Sequence, residues 1–170
     1  NYIDKNFDEI KRIIIFEGGN GPYRKTIHPI WDWGFHSFST LLKIFEDKKF
    51  SKISKKEIKN NNTETNGLIT KFEFTVESRF EVKLISGNLF KKKIRKFKII
   101  LKNNNVLETN MINHKIYLNK KIVFESDITP LQSLLNNFYK TIKESNTDYS
   151  KNLINISNKT TKILENFYNC

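Results

Sequence analysis

Two side chains able to move a proton, Asp32 and His36, stand four residues apart in the segment Ile27-His28-Pro29-Ile30-Trp31-Asp32-Trp33-Gly34-Phe35-His36-Ser37-Phe38. At a helix start this spacing places them on one face, with Cβ atoms about 6 Å apart. A carboxylate so placed orients and charges an imidazole, which can then accept a hydroxyl proton, and oxidation of a hydroxyl needs such a base. The free N–H groups of a helix N-terminus also suit an oxygen-rich ligand. The pair reads equally as an N-cap aspartate followed by a surface histidine. Trp31, Trp33, Phe35 and Phe38 add an aromatic wall, fit for a sugar or nicotinamide ring or for a core layer, and Gly34 leaves room for close approach. His28, Asp32 and His36 would make a three-ligand metal set only on a helix running through Pro29; the proline argues against it, so no metal is expected.

The elements that must carry these residues follow from hydrophobic period. Residues 7–11 suggest a short helical turn and residues 1–3 a strand end. The β-branched run 13–16 is a strand closed by the turn signal Gly18-Gly19-Asn20-Gly21-Pro22. From Gly34, Phe35, Phe38, Leu41, Leu42 and Phe45 recur at three and four, predicting a helix to residues 46–47 with Asp32 and His36 at its N-terminus. A β region follows: a weak strand at 53–58, a loop at 60–67, then alternating segments at 68–76, 80–85, 91–101, 106–110, 114–118 and 122–124. Helical period returns with Thr129 as N-cap and Pro130 in the first turn. There Leu131, Leu134, Leu135, Phe138 and Ile142 make a stripe expected to be buried. A last helix carries Leu153, Ile156, Thr160, Ile163, Leu164 and Phe167 on one face. The order predicts a single α+β domain over residues 1–170, an open-faced, mostly antiparallel sheet with helices packed on one face.

Composition narrows the function classes. One domain fits 170 residues, enough to bury roughly 70% of the unfolded surface. Fourteen phenylalanines supply a core. The net charge of +12 comes almost entirely from lysine, with four arginines, Arg12, Arg24, Arg79 and Arg95. Lysine accompanies abundant asparagine and isoleucine, the pattern of A/T-rich codons written on a solvated surface, whereas phosphate readers favour the arginine fork. The densest basic run, Lys91-Lys92-Lys93 with Arg95, Lys96 and Lys98, splits between the two faces of a strand and reads as an exposed edge protected against aggregation, so a nucleic-acid partner is not expected. Gly18-Gly19-Asn20-Gly21 lacks both the G-x-G-x-x-G spacing and the G-K-[ST] ending of a phosphate loop. The lone cysteine, Cys170, excludes an internal disulfide and is compatible with a reducing cytoplasm. No run is long enough to span a bilayer.

The segment Trp31-Asp32-Trp33-Gly34-Phe35-His36, with the apolar helix behind it, resembles the D-x-G-x-H helix start in the C-terminal domain of the Gfo/Idh/MocA oxidoreductases. Thr129-Pro130-Leu131-Gln132 through Phe138, followed by a final helix, is similar to that family's closing segment. The resemblance implies a two-domain NAD(P)-dependent enzyme in which a Rossmann domain comes first and this domain supplies part of the substrate site and the subunit contacts. It implies Asp32 and His36 as the acidic residue and catalytic histidine acting on a sugar-like or cyclitol substrate, and a homo-oligomer formed through the sheet. Tyr23, Arg24, Lys25 and Trp33 are candidate substrate contacts. The family's E-K-P motif and glycine fingerprint are absent, so the chain is expected to be a fragment lacking the Rossmann domain, with no cofactor-binding residue and no NAD or NADP bound by the chain alone. A different class stays open beside this one: a non-catalytic module whose open sheet face takes a protein or nucleic-acid partner.

Overall fold

A computed structural model describes residues 6–46, 48–59, 67–143 and 147–170; the strand end expected at 1–3 and nearly all of the loop expected at 60–67 lie outside them. A 3-10 turn at Phe7–Glu9 leads straight into strand β1 (Ile10–Asn20), so only the first part of the expected helical turn forms. Helix α1 (Pro29–Ile44) follows, then seven strands: β2 (Phe50–Lys59), β3 (Leu68–Val76), β4 (Phe80–Gly87), β5 (Leu89–Leu101), β6 (Val106–Asn110), β7 (Lys115–Leu118) and β8 (Lys121–Glu125). Helices α2 (Pro130–Lys143) and α3 (Asp148–Tyr168) close the chain.

The eight strands form one sheet in the order β2-β3-β4-β1-β5-β6-β7-β8. Every neighbouring pair is antiparallel except β1 and β4, which run parallel with Ile13 opposite Val82 and Ile15 opposite Leu84. β4 and β5 are consecutive, yet β1 lies between them. The single connecting residue, Asn88, crosses over the end of β1 and is fully buried. Its side chain accepts from the Leu68 N–H (2.8 Å) and donates to the Pro22 carbonyl (2.9 Å), while its own carbonyl accepts from the Gly21 N–H (3.0 Å).

Alternation decides which face of the sheet is covered. Ile13 and Ile15 on β1, Val82 and Leu84 on β4, and Phe97 and Ile99 on β5 are buried, while Glu81 and the basic residues between them point the other way. The buried face receives Phe38, Leu41 and Leu42 of α1 and Phe45 at its C-cap, from the stripe expected from the sequence. α3 packs on α1 through Ile156, Thr160, Leu164 and Phe167, again as expected. Its Phe167 ring sits 4.8 Å from those of Phe38 and Phe74 and 5.4 Å from Phe72, in edge-on contacts. Such aromatic pairs add about 0.5–1.5 kcal/mol beyond the area they bury.

Four expectations are corrected. The Gly18–Gly21 run is not all loop: β1 continues through Asn20, because glycines here let neighbours close in. A Cβ on Gly18 would lie 2.3 Å from the Gly87 carbonyl, and one on Gly19 only 2.8 Å from the Trp33 ring. The basic strand β5 is not an edge; it lies between β1 and β6, and the edges are β2 and β8. α1 begins at Pro29, earlier than Gly34, because proline is suited to the first helical turn. Finally, the α2 stripe is not buried: Leu131, Leu134, Leu135, Phe138 and Ile142 are 48–63% exposed. Thr129 does cap α2, its Oγ1 accepting from the Gln132 N–H (3.2 Å) and the Gln132 side chain accepting from the Thr129 N–H (3.0 Å). The helix forms, but among the described residues it packs chiefly on α3 and makes no extensive contact with the sheet.

Candidate active site

The site is built where β1 ends and α1 begins. His28 is the N-cap of α1: its Nδ1 accepts from the Ile30 N–H (3.2 Å), which leaves Nε2 as the N–H that donates to Glu57 Oε1 on β2 (3.2 Å). Its ring also packs edge-on against Tyr168 of α3. Burial pulls the His28 pKa down, with Glu57 acting against it. His28 is thus committed to holding the helix start, and no cluster of three metal-ligating side chains exists among the described residues.

Asp32 lies in the first turn of α1, where a negative charge is favoured by the helix dipole. Its Oδ2 accepts from Arg24 Nε (3.1 Å), tying the preceding loop to the helix. His36, one turn on, is exposed. Partial desolvation of its ring and the nearby cations Arg95 and Lys93 all push its pKa below 6.5, so the ring is neutral at pH 7 and able to take a proton. No hydrogen bond joins Asp32 to His36: the carboxylate faces Arg24 while the imidazole faces a groove over β5–β8. Gly34, expected to admit a ligand, is buried, and a Cβ there would meet the Ile30 side chain at 2.4 Å. Of the other candidates, Tyr23 is exposed and donates its hydroxyl to Asn20 Oδ1, Lys25 lies exposed in the same loop, and Trp33 lies over Gly19 with Nε1 buried and unpartnered among the described residues.

The sequence reading missed a charged cluster directly beneath His36. Glu17 continues the inward register of Ile13 and Ile15 on β1 and is 2% exposed. Ser37 of α1, also buried, donates its hydroxyl to Glu17 Oε2. Arg95, opposite Glu17 on β5, brings Nε to 3.0 Å from Oε1. Its N–H is not aimed at that oxygen, and both atoms lack a hydrogen-bond partner. Burial raises the Glu17 pKa to about 7 against the pull of Ser37, Arg95 and Lys93. A charged residue two positions beyond the inward-facing Ile13 and Ile15 was the available signal.

The described residues do not fit a dinucleotide. Its pyrophosphate needs a glycine turn opening directly onto a helix N-terminus, whereas the glycines here lie largely within β1, under Trp33, and the next helix start is occupied by the His28 side chain.

No family model matches the sequence, and neither does any curated protein. Solved structures do match by shape. A dehydrogenase from Clostridium difficile superposes with TM-score 0.67 at 16% identity over 99% of this chain and 57% of its own. A dehydrogenase from Chromobacterium violaceum gives 0.61 at 14% over 97% and 54%, and a UDP-N-acetylglucosamine 3-dehydrogenase from Acidithiobacillus ferrooxidans 0.64 at 10% over 85% and 48%. The fold is that of the Gfo/Idh/MocA C-terminal domain. The chain spans about half the length of these Gfo/Idh/MocA-type oxidoreductases. The mostly antiparallel eight-stranded sheet of this chain is the architecture the alternating segments predict.

Proposed function

We propose that the chain is the substrate-binding and oligomerisation half of an NAD(P)-dependent sugar or cyclitol dehydrogenase, with His36 as the general acid/base towards a ring hydroxyl. The observation that carries this reading is the placement of His36: an exposed imidazole, kept neutral by its surroundings, at the rim of a groove on the helix side of a dehydrogenase-type fold. A neutral ring nitrogen takes the hydroxyl proton as the alcohol becomes a carbonyl and returns it in the reverse direction. Asp32, turned towards Arg24, contacts the substrate or fixes the loop that carries Tyr23, Arg24 and Lys25; it does not orient His36. The UDP-N-acetylglucosamine 3-dehydrogenase among the structural neighbours supports a sugar-like substrate. The chain's own residues supply the proton chemistry, and NAD or NADP would be held by a Rossmann domain. The open face of the sheet is the proposed subunit contact.

The test is to assemble the chain with a dinucleotide-binding half and compare His36→Ala with the parent on a panel of sugars and cyclitols. Loss of an acid/base should lower kcat by about 100-fold to 10,000-fold, while Asp32→Asn should chiefly raise KM. Unchanged turnover in His36→Ala with every oxidised substrate would sink the assignment.

A further inference from the structure

α1 and α3 cover the β3-β4-β1 part of the sheet, and the helix side of β5–β8 is left with a groove of about 510 Å³. His36, Ser39 and Thr40 of α1 form one wall, the segment from Ser126 to Ser133 the other, and Arg95, Thr109 and Ile116 lie on the sheet between them. On this floor Thr109 Oγ1 is buried without a hydrogen-bond partner, and Arg95 Nε, 3.0 Å from Glu17 Oε1, is paired with that carboxyl by charge but donates no hydrogen bond. A second cation, Lys93, stands two residues along β5, close enough for its field to reach both His36 and Glu17. Lys115, also on the lining, is held by Glu125 at 2.9 Å, and Glu17 keeps its proton up to about pH 7, so it cancels the Arg95 charge only in part.

A guanidinium anchored on one side by a buried acid, with its charge incompletely balanced and a hydroxyl unpaired beside it, is the arrangement that reads a planar or tetrahedral oxyanion. We propose that the groove binds an anionic group of the substrate, a carboxylate or a phosphate, through Arg95 and Thr109, and thereby sets the substrate's hydroxyl against His36. Glu17 and Ser37 are positioning residues, holding Arg95 towards the groove. The substrate class is then an acidic sugar or sugar phosphate and not a neutral polyol. The proposal rests on the reading of His36 as the base, but its test does not use turnover.

The test is an NMR titration of the 170-residue chain, at constant ionic strength, with inorganic phosphate, sodium glucuronate and glucose, following the His36 ring and the Thr109 amide. The expected result is saturable shifts of both with phosphate or glucuronate in the millimolar range, and none with glucose. Whichever anion binds more tightly identifies the group. Arg95→Ala should weaken binding about tenfold or more and Arg95→Lys less than that. Because Arg95→Ala leaves Glu17 buried without its cation, Thr109→Val, which keeps the charge cluster, serves as the second variant and should also weaken binding. Absence of saturation by either anion up to about 100 mM, equal shifts with glucose, or undiminished anion binding in both Arg95→Ala and Thr109→Val would overturn the proposal. Anion binding that persists alongside full turnover in His36→Ala would instead sink the dehydrogenase role of His36 and leave the anion site standing.

Discussion

Replacing Glu17 with glutamine probes the buried cluster that supports the groove. In the folded chain this carboxyl titrates at about 7 in place of 4.5, because burial penalises the anion by more than Ser37, Arg95 and Lys93 favour it. A group whose folded pKa lies above its unfolded one binds more protons in the native state between the two values. Stability from Glu17 is therefore fully present below pH 4.5, falls as the pH rises to about 7, and levels off beyond. The loss across that window is about 3 kcal/mol, a large share of the ~5–15 kcal/mol that holds a domain together. Glutamine keeps the shape and an oxygen to accept from Ser37 but cannot ionise. Near pH 5 the two proteins should unfold within about 1 kcal/mol of each other, and by about pH 8 the Glu17→Gln chain should have gained up to about 3 kcal/mol relative to the parent. His28 and His36, whose pKa values are pulled below 6.5, act in the opposite sense: their share of stability grows as the pH rises towards 6.5. Both chains contain them, so the difference between urea denaturation curves cancels their effect. A stability difference that stays constant with pH, or that moves in the parent's favour as pH rises, would refute the reasoning.

Gly19→Val should cost about 1–3 kcal/mol, since its Cβ would stand 2.8 Å from the Trp33 ring; denaturant unfolding with tryptophan emission reports both the loss and the displaced indole, and an unchanged midpoint would contradict the packing described. Leu135→Glu combined with Phe138→Glu should leave stability within about 0.5 kcal/mol of the parent, because both side chains project from the exposed side of α2. The same double change should reduce binding of a hydrophobic dye, and a marked loss of stability would show the α2 face to be packed.

Element types were legible because their periods are strong. Phe38, Leu41, Leu42 and Phe45 spell a helix face, and Phe80, Val82 and Leu84 a strand face, whatever surrounds them. What a period cannot show is the partner. The α2 stripe has the spacing of a packed helix, but an amphipathic pattern says only that one side is apolar, and here that side stays exposed. The basic run at residues 91–98 looked like an edge because strand order is set by long-range pairing: β1 lies against β5, and Lys96 meets Glu108 at 2.7 Å across the β6 ladder. At the site, Asp32 and His36 were visible as a pair of residue types. Their separate engagements were not, since Arg24 and Arg95 approach from a loop and from a distant strand. Glu17 was hidden in plain sight: it lies just past the run 13–16 that reads as a strand, and β1 carries on through it in the inward register.

The insertion of β1 between β4 and β5 bears on how the chain reaches its native state. A sheet of successive hairpins can zip one neighbour at a time, but here two strands joined through Asn88 alone must straddle the first strand of the domain. Ile15 has to find both Leu84 and Phe97, so the pairing that unites the two halves of the sheet spans much of the chain. Such non-local closure slows folding and makes it all-or-none. Until β1 is seated, β2-β3-β4 and β5-β6-β7-β8 are two separate ribbons with open edges, and a mutation that loosens Asn88 or β1 should lengthen the time the nascent chain spends in that sticky, divided state.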